Sequence, residues 1–206
     1  MQPPQPTAPS TPSRTRLQTR SIILEGYRRD DGLWDIEARL TDRKDQDFRS
    51  ESGFWPMGKE MHDMQVRVTI DKRFNIVEAC TDFLAAPYST CAAIAPDYGK
   101  IVGLNLMRGF RREVARLFGG IKGCSHVTEL LSVLPTAAIQ SVSGEVCDEE
   151  TEGAKPFQLD GCHALETSGE AVRLYFPRWH RASDSGGQAV PHIPSSSTSP
   201  TSKEEA

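Results

Sequence analysis

A change of hydrophobic period partway along the chain constrains its fold more than any other feature. Trp34, Ile36, Ala38 and Leu40 recur at every second position, as do Met64, Val66, Val68 and Ile70. That spacing puts each set on one side of an extended strand. Ile22 to Tyr27 and Phe74 to Phe83 read as two further strands. Ile70-Asp71-Lys72-Arg73-Phe74 is too short a link for anything but an antiparallel hairpin, so the first half reads as a meander sheet. Beyond Cys91 the strand alternation stops. Small and apolar residues fill Cys91 to Val102, with Pro96 marking a first turn or a break. Phe110, Val114, Leu117 and Phe118 then fall at helical spacing, with Arg108, Arg112 and Arg116 on another face, and Gly119-Gly120 ends that helix. Another helix starts at Cys124-Ser125 and carries Val127, Leu130, Leu131 and Leu134 to Pro135, which bends or ends it. Cys162 to Leu165, a turn at Ser168-Gly169 and an alternating Val172, Leu174 and Phe176 read as a closing hairpin. Strands followed by helices, rather than alternating with them, give an α+β fold: a mainly antiparallel sheet with two or three helices on one face, plus the C-terminal hairpin.

Residues 1–16 are rich in Pro, Gln, Ser and Thr, and residues 182–206 in Ser and Pro, so both ends are expected to be disordered around one domain at 17–181. A formal net charge of -4 argues against nucleic acid as the main partner. No stretch has the roughly 18–20 apolar residues of a membrane span, and the start lacks a signal-peptide pattern. The expectation is a cytoplasmic protein. Its five cysteines are an odd number, which in a reducing compartment points to free thiols, metal ligands or nucleophiles rather than disulfides.

The thiols and imidazoles gather beside element ends: His62-Asp63 opening a strand, Cys91 opening a helix, Cys124 with His126 opening another, and Cys162-His163 downstream. Thiolate and imidazole together suit zinc or iron better than magnesium or calcium. Cys124 and His126 can share an ion only if Cys124 precedes the first helical turn, because positions two apart on a helix point about 200° from each other. Cys80, mid-strand, reads as a small core residue. Cys147 reads as incidental, and His180 and His192, at or in the tail, are assigned nothing. Gly119-Gly120-Ile121-Lys122-Gly123 lacks the spacing of a phosphate-binding loop. The arginines of the 108–116 helix read as a solvated face. No Gly-x-Ser-x-Gly elbow is present, which excludes an α/β-hydrolase site.

Several motifs together resemble a known bacterial family. Tyr27-Arg28-Arg29-Asp30-Asp31-Gly32-Leu33-Trp34-Asp35-Ile36-Glu37, His62-Asp63-Met64, Val68-Thr69-Ile70-Asp71, Gly119 to His126 with Glu129-Leu130-Leu131, and Cys162-His163-Ala164-Leu165 resemble the domain-of-unknown-function family DUF2889. More distantly, the order of a sheet, a loop reaching Cys91, small-residue and intervening helices, and a cysteine opening a last helix is similar to iron-sulfur scaffold proteins of the NifU and IscU type. That similarity implies a fold of the same kind, with Cys91 and Cys124 at the two thiolate positions. No cysteine lies between Lys100 and Lys122, so a third thiolate would come from Cys162.

The leading expectation is a small protein binding zinc or an iron-sulfur cluster through Cys91, Cys124 and Cys162. One of His126, His163 or His62 would complete the site, with Asp63 as an oxygen ligand or as the group that orients His62. Its role would be that of an accessory or scaffold protein, with a metal ion and a protein as partners. Two alternatives are a cysteine-dependent enzyme in which Cys124 attacks an electrophilic carbonyl, with His62 or His163 as base, and a non-catalytic adaptor recognised through its arginine-rich helix.

Overall fold

The computed structural model describes residues 12–143 and 155–182. The chain divides into two compact units between residues 149 and 150. Most of both expected tails, and Cys147 and His192, lie outside the described residues.

In the first unit four long strands form one antiparallel sheet in chain order: β1 (Gln18–Arg28), β2 (Trp34–Lys44), β5 (Glu60–Ile70) and β6 (Ile76–Ala85). This is the expected meander, with one addition. Between β2 and β5 the chain forms a separate two-stranded ribbon of β3 (Phe48–Ser50) and β4 (Gly53–Trp55). The β5–β6 hairpin closes on Asp71, whose carboxylate accepts the backbone N–H groups of Arg73 (2.9 Å) and Asn75 (2.8 Å). An aspartate that satisfies the turn backbone in this way fixes the register of both strands.

The period-two residues all point to the same face. Trp34, Ile36, Ala38 and Leu40 of β2 and Met64, Val66, Val68 and Ile70 of β5 are buried. Helix α2 (Ser125–Val142) covers them, and helix α1 (Phe110–Phe118) packs against α2. Helix α1 contributes Phe110, Val114 and Phe118 to this core, and α2 contributes Val127, Leu130, Leu131, Leu134, Ala138 and Val142. Each fully buried aliphatic or aromatic side chain is worth roughly 1.5–3 kcal/mol. Helix α2 does not stop at Pro135, which lies buried within it. The ring removes one backbone hydrogen bond, but apolar side chains on both sides of it pack into the same core, and that packing outweighs the loss. The stretch opened by Cys91 winds as 3-10 turns over Cys91–Ile101 and packs beside β6, burying Tyr98 and Ile101.

The second unit corrects the expected closing hairpin. Its chain makes a 3-10 turn at His163–Leu165, helix α3 at Glu170–Tyr175 and a 3-10 turn at Pro177–Trp179. Val172, Leu174 and Phe176 do not share a buried face, since Val172 is fully buried while Leu174 is 55% exposed. Three apolar residues at period two are too short a pattern to separate strand from helix. The Glu170–Arg173 ion pair, one turn apart, adds to the helical choice. Asp160 organises this unit. Its carboxylate accepts the backbone N–H of Thr167 (2.8 Å) and pairs with Lys155. The Lys155 hydrogen bond, then that of Thr167, holds its pKa down to about 2. The folded unit therefore favours the ionised carboxylate. Its contribution is full above the usual 3.8 and is lost as pH falls towards 2. The Thr167 amide resonance should titrate with that low midpoint, and Asp160→Asn should abolish the titration.

Candidate functional site

At one end of the sheet the apolar row on the helix-covered face gives way to charge. Following Trp34, Ile36, Ala38 and Leu40, the next residue of β2 on that face is Asp42, which is buried. Its neighbours in the ladder are Arg20 of β1 and His62 of β5, so three adjacent strands place Arg20, Asp42 and His62 in one cross-strand row. Immediately beyond, the β2–β5 register shifts between Asp42 and Arg43. Such an irregularity ends regular pairing and re-aims side chains beside it.

The first turn of α2 closes over this row. Cys124 is the residue preceding the helix, with extended backbone, as a shared Cys124–His126 site requires. Tyr98 holds it there: the Cys124 N–H donates to the Tyr98 hydroxyl oxygen (2.7 Å), and the hydroxyl donates to the Cys124 carbonyl (3.1 Å). Burial raises the Tyr98 pKa, so the hydroxyl stays protonated. A side chain on Gly123 would come within 2.7 Å of the Phe118 Cβ and 2.9 Å of the Tyr98 hydroxyl, so only glycine admits this approach. Tyr98→Phe leaves the Cys124 N–H without its partner. It should cost about 1–2 kcal/mol in chemical denaturation.

The geometry around Asp42 is compact. Arg20 grips it with two charged hydrogen bonds, Nε to Oδ1 at 2.8 Å and Nη2 to Oδ2 at 2.7 Å. Its remaining nitrogen pairs with Glu129 of α2 at 2.6 Å. His62 Nδ1 lies 3.1 Å and His126 Nε2 lies 3.5 Å from Asp42 Oδ2. The two imidazole rings lie against each other with centres 3.9 Å apart, tilted by 30°. The other nitrogen of His126, Nδ1, is 3.8 Å from the Cys124 sulfur. Burial would raise the pKa of Asp42, but Arg20's hydrogen bonds and charge outweigh it and keep the carboxylate ionised. Burial pushes His62 below its usual range against the pull of Asp42. Burial, followed by the charges of His62 and Arg20, does the same to His126. Neutral imidazoles present lone pairs, and an ionised carboxylate keeps acceptor sites that Arg20 does not use.

Among the described residues, Asp42, His62 and His126 are the group whose ligand atoms all lie within 4.8 Å of one another. Of the residues picked out by sequence, His62 and His126 thus meet, with Cys124 beside them. Asp63, next to His62 on the strand, projects to the opposite face and is held by Arg39 at 2.8 and 2.6 Å. The carboxylate that touches His62 is therefore Asp42, a residue not picked out from the sequence. Cys91 begins the 3-10 stretch, half-buried and outside this group, and Cys80 is exposed on β6. Cys162, exposed, and His163 sit together at the 3-10 turn of the second unit. His180 also belongs to that unit.

No helix among the described residues is long and apolar enough to cross a membrane. No curated protein and no solved structure matches the chain, so the likeness to iron-sulfur scaffolds gains no support there. A family of proteins of unknown function, DUF2889, matches residues 18–140, a span that contains Arg20, Asp42, His62, Cys124, His126 and Glu129. With more than half of its length inside that match, the chain belongs to the DUF2889 family.

Proposed function

We propose that this protein binds a single divalent transition-metal ion, zinc or ferrous iron, through Asp42, His62 and His126. The observation that carries the reading is the convergence of two neutral imidazoles and one ionised carboxylate from β2, β5 and α2. Two histidines and a carboxylate suit zinc or iron and leave coordination positions open. His126 also has a partner for its second nitrogen. With the proton on Nδ1 facing the Cys124 sulfur, the Nε2 lone pair faces Asp42 and His62, the arrangement in which an outer contact orients a metal-bound imidazole. Arg20 acts on Asp42 in the same way. An iron-sulfur cluster would need several thiolates at one point, and among the described residues Cys124 is the thiol that contacts the group, which favours a mononuclear ion. The open positions leave room for metal-assisted chemistry or for transfer of the ion to a protein partner. Protein purified without chelators is expected to carry about one ion per chain by elemental analysis. His62→Ala and His126→Ala should each reduce binding by at least about tenfold, while Cys162→Ser leaves it unchanged. Equal occupancy in all three variants would refute the assignment.

A second reading rests on the same residues. Cys124, His126 and Asp42 form a chain of contacts from sulfur through Nδ1 and Nε2 to a carboxylate. That is the order a thiol nucleophile, its base and an orienting acid take. It departs from the sequence expectation in making His126 the base. Rapid alkylation of Cys124 in metal-free protein, lost in His126→Ala, supports this reading. Slow alkylation in both removes it.

A further inference from the structure

Asp42, His62 and His126 line a small open pocket of about 240 Å³. The rest of its wall is mostly cationic or polar: Arg20, Arg43, Lys44 and Gln18. These come from the ends of β1 and β2, where the shift of register skips Met61 of β5 and leaves Arg43 between Thr19 of β1 and Glu60 of β5. Arg43 stands opposite Glu60 in the ladder yet makes no ion pair with it or with any other described residue. Lys44 donates to the Gln18 side-chain oxygen (3.1 Å) and lies over the Phe48 ring, and it has no carboxylate partner among the described residues. Of the nearby acids, two are already engaged and Glu60 faces Arg43. Asp45 is paired with Arg16, and Glu129 with Arg20.

Charge bookkeeping then points in one direction. Arg20 sits between Asp42 and Glu129, so those three groups together carry one net negative charge. With neutral imidazoles a divalent ion more than cancels it. Arg43 and Lys44 add two positive charges on the open side, of which Glu60 opposite Arg43 offsets one. A concave site with uncompensated positive charge and forked N–H donors is matched by an oxygen-rich anion.

We propose that this pocket takes the oxyanionic group of a small molecule, a phosphate or a carboxylate, beside the metal ion, with Arg43 and Lys44 as the residues that hold it. This rests on the metal-binding reading and names the class of ligand for that site. The pocket volume suits one such group together with a short stem rather than a polymer.

The test uses the full chain and two probes, inorganic phosphate and succinate, titrated by calorimetry into zinc-loaded and zinc-free protein. Arg43→Ala/Lys44→Ala is the comparison variant. Both residues line the pocket and lie outside the core, so the variant should keep its fold and its zinc stoichiometry. Zinc-loaded protein is expected to bind at least one probe, with affinity falling by about tenfold or more in the variant. Phosphate binding alone would identify a phosphorylated ligand, and succinate binding alone a carboxylate one; either result supports the proposal. Binding of neither probe, or equal affinity in wild type and variant, overturns it. Absence of zinc binding refutes the metal reading by itself. The zinc-free titrations then decide the anion site: loss of binding in the variant upholds it, and no difference rejects it.

Discussion

Replacing Asp42 by alanine is expected to cost about 2–4 kcal/mol of stability and to abolish metal binding. The stability loss follows from what the carboxylate holds. Its side chain is only 6% exposed, and it is the shared acceptor for both arms of Arg20 and for His62. Removing one partner of a well-buried ion pair typically costs 3–5 kcal/mol, because the other charge stays desolvated. Arg20 is about one-third exposed and retains Glu129, which moderates that figure. Asp42→Asn should cost less, since the amide still offers one acceptor oxygen to Arg20, but it too should lose the ion. A midpoint in urea close to that of wild type for Asp42→Ala would show that the Arg20–Asp42–His62 row contributes little.

Gly26→Ala should be the most damaging single-methyl change in the sheet, at about 2–3 kcal/mol. Gly26 lies on β1 opposite Ile36, where the C-terminal half of α2 crosses the sheet edge. A methyl group there would meet the Ser141 Oγ at 1.9 Å and its Cβ at 2.4 Å. The hydroxyl could rotate away from its bond to the Ala137 carbonyl, but the Cβ cannot, so the helix or the strand must shift. The double variant Gly26→Ala/Ser141→Gly removes both clashing atoms. It should recover most of the loss beyond the intrinsic cost of a helical glycine, about 1 kcal/mol. A double variant no more stable than Gly26→Ala would mean that the contact between α2 and β1 is not the cause. Because α2 also carries His126, thermal denaturation with and without zinc should show Gly26→Ala weakening metal binding from the far end of the helix.

How far the sequence revealed these features depends on the range of the interaction involved. The four long strands and the helix-covered face were legible because Trp34 to Leu40 and Met64 to Ile70 alternate over seven residues each, long enough to fix both period and face. Helices α1 and α2 were legible for the same reason, although Pro135 argued locally for an end that core packing overrides. The β3–β4 ribbon was not legible, since three-residue strands such as Phe48–Ser50 carry no periodic signal. At Val172 to Phe176 a short pattern permitted two periods, and the second unit takes the helical one.

The candidate site was half legible. His62, Cys124 and His126 stood out by residue type and by their position at element ends. Asp42 did not, because its importance lies in register: it is the fifth residue of a buried row and meets Arg20 and His62 only across strand pairs that no local pattern specifies. Extending the period-two row one step beyond Leu40 would have pointed to it, since an acid on an otherwise apolar face needs a partner. Asp63 drew notice by adjacency to His62, yet neighbours on a strand face opposite ways.

If one metal ion sits between Asp42, His62 and His126, crystals soaked in zinc will reveal it. Anomalous scattering at the zinc edge should give a peak roughly 2.0–2.2 Å from an imidazole nitrogen of each histidine and from an Asp42 oxygen, with Arg20 still against the carboxylate. A peak at Cys91 or Cys162 instead, or a fully soaked crystal with no peak at Asp42, would contradict it.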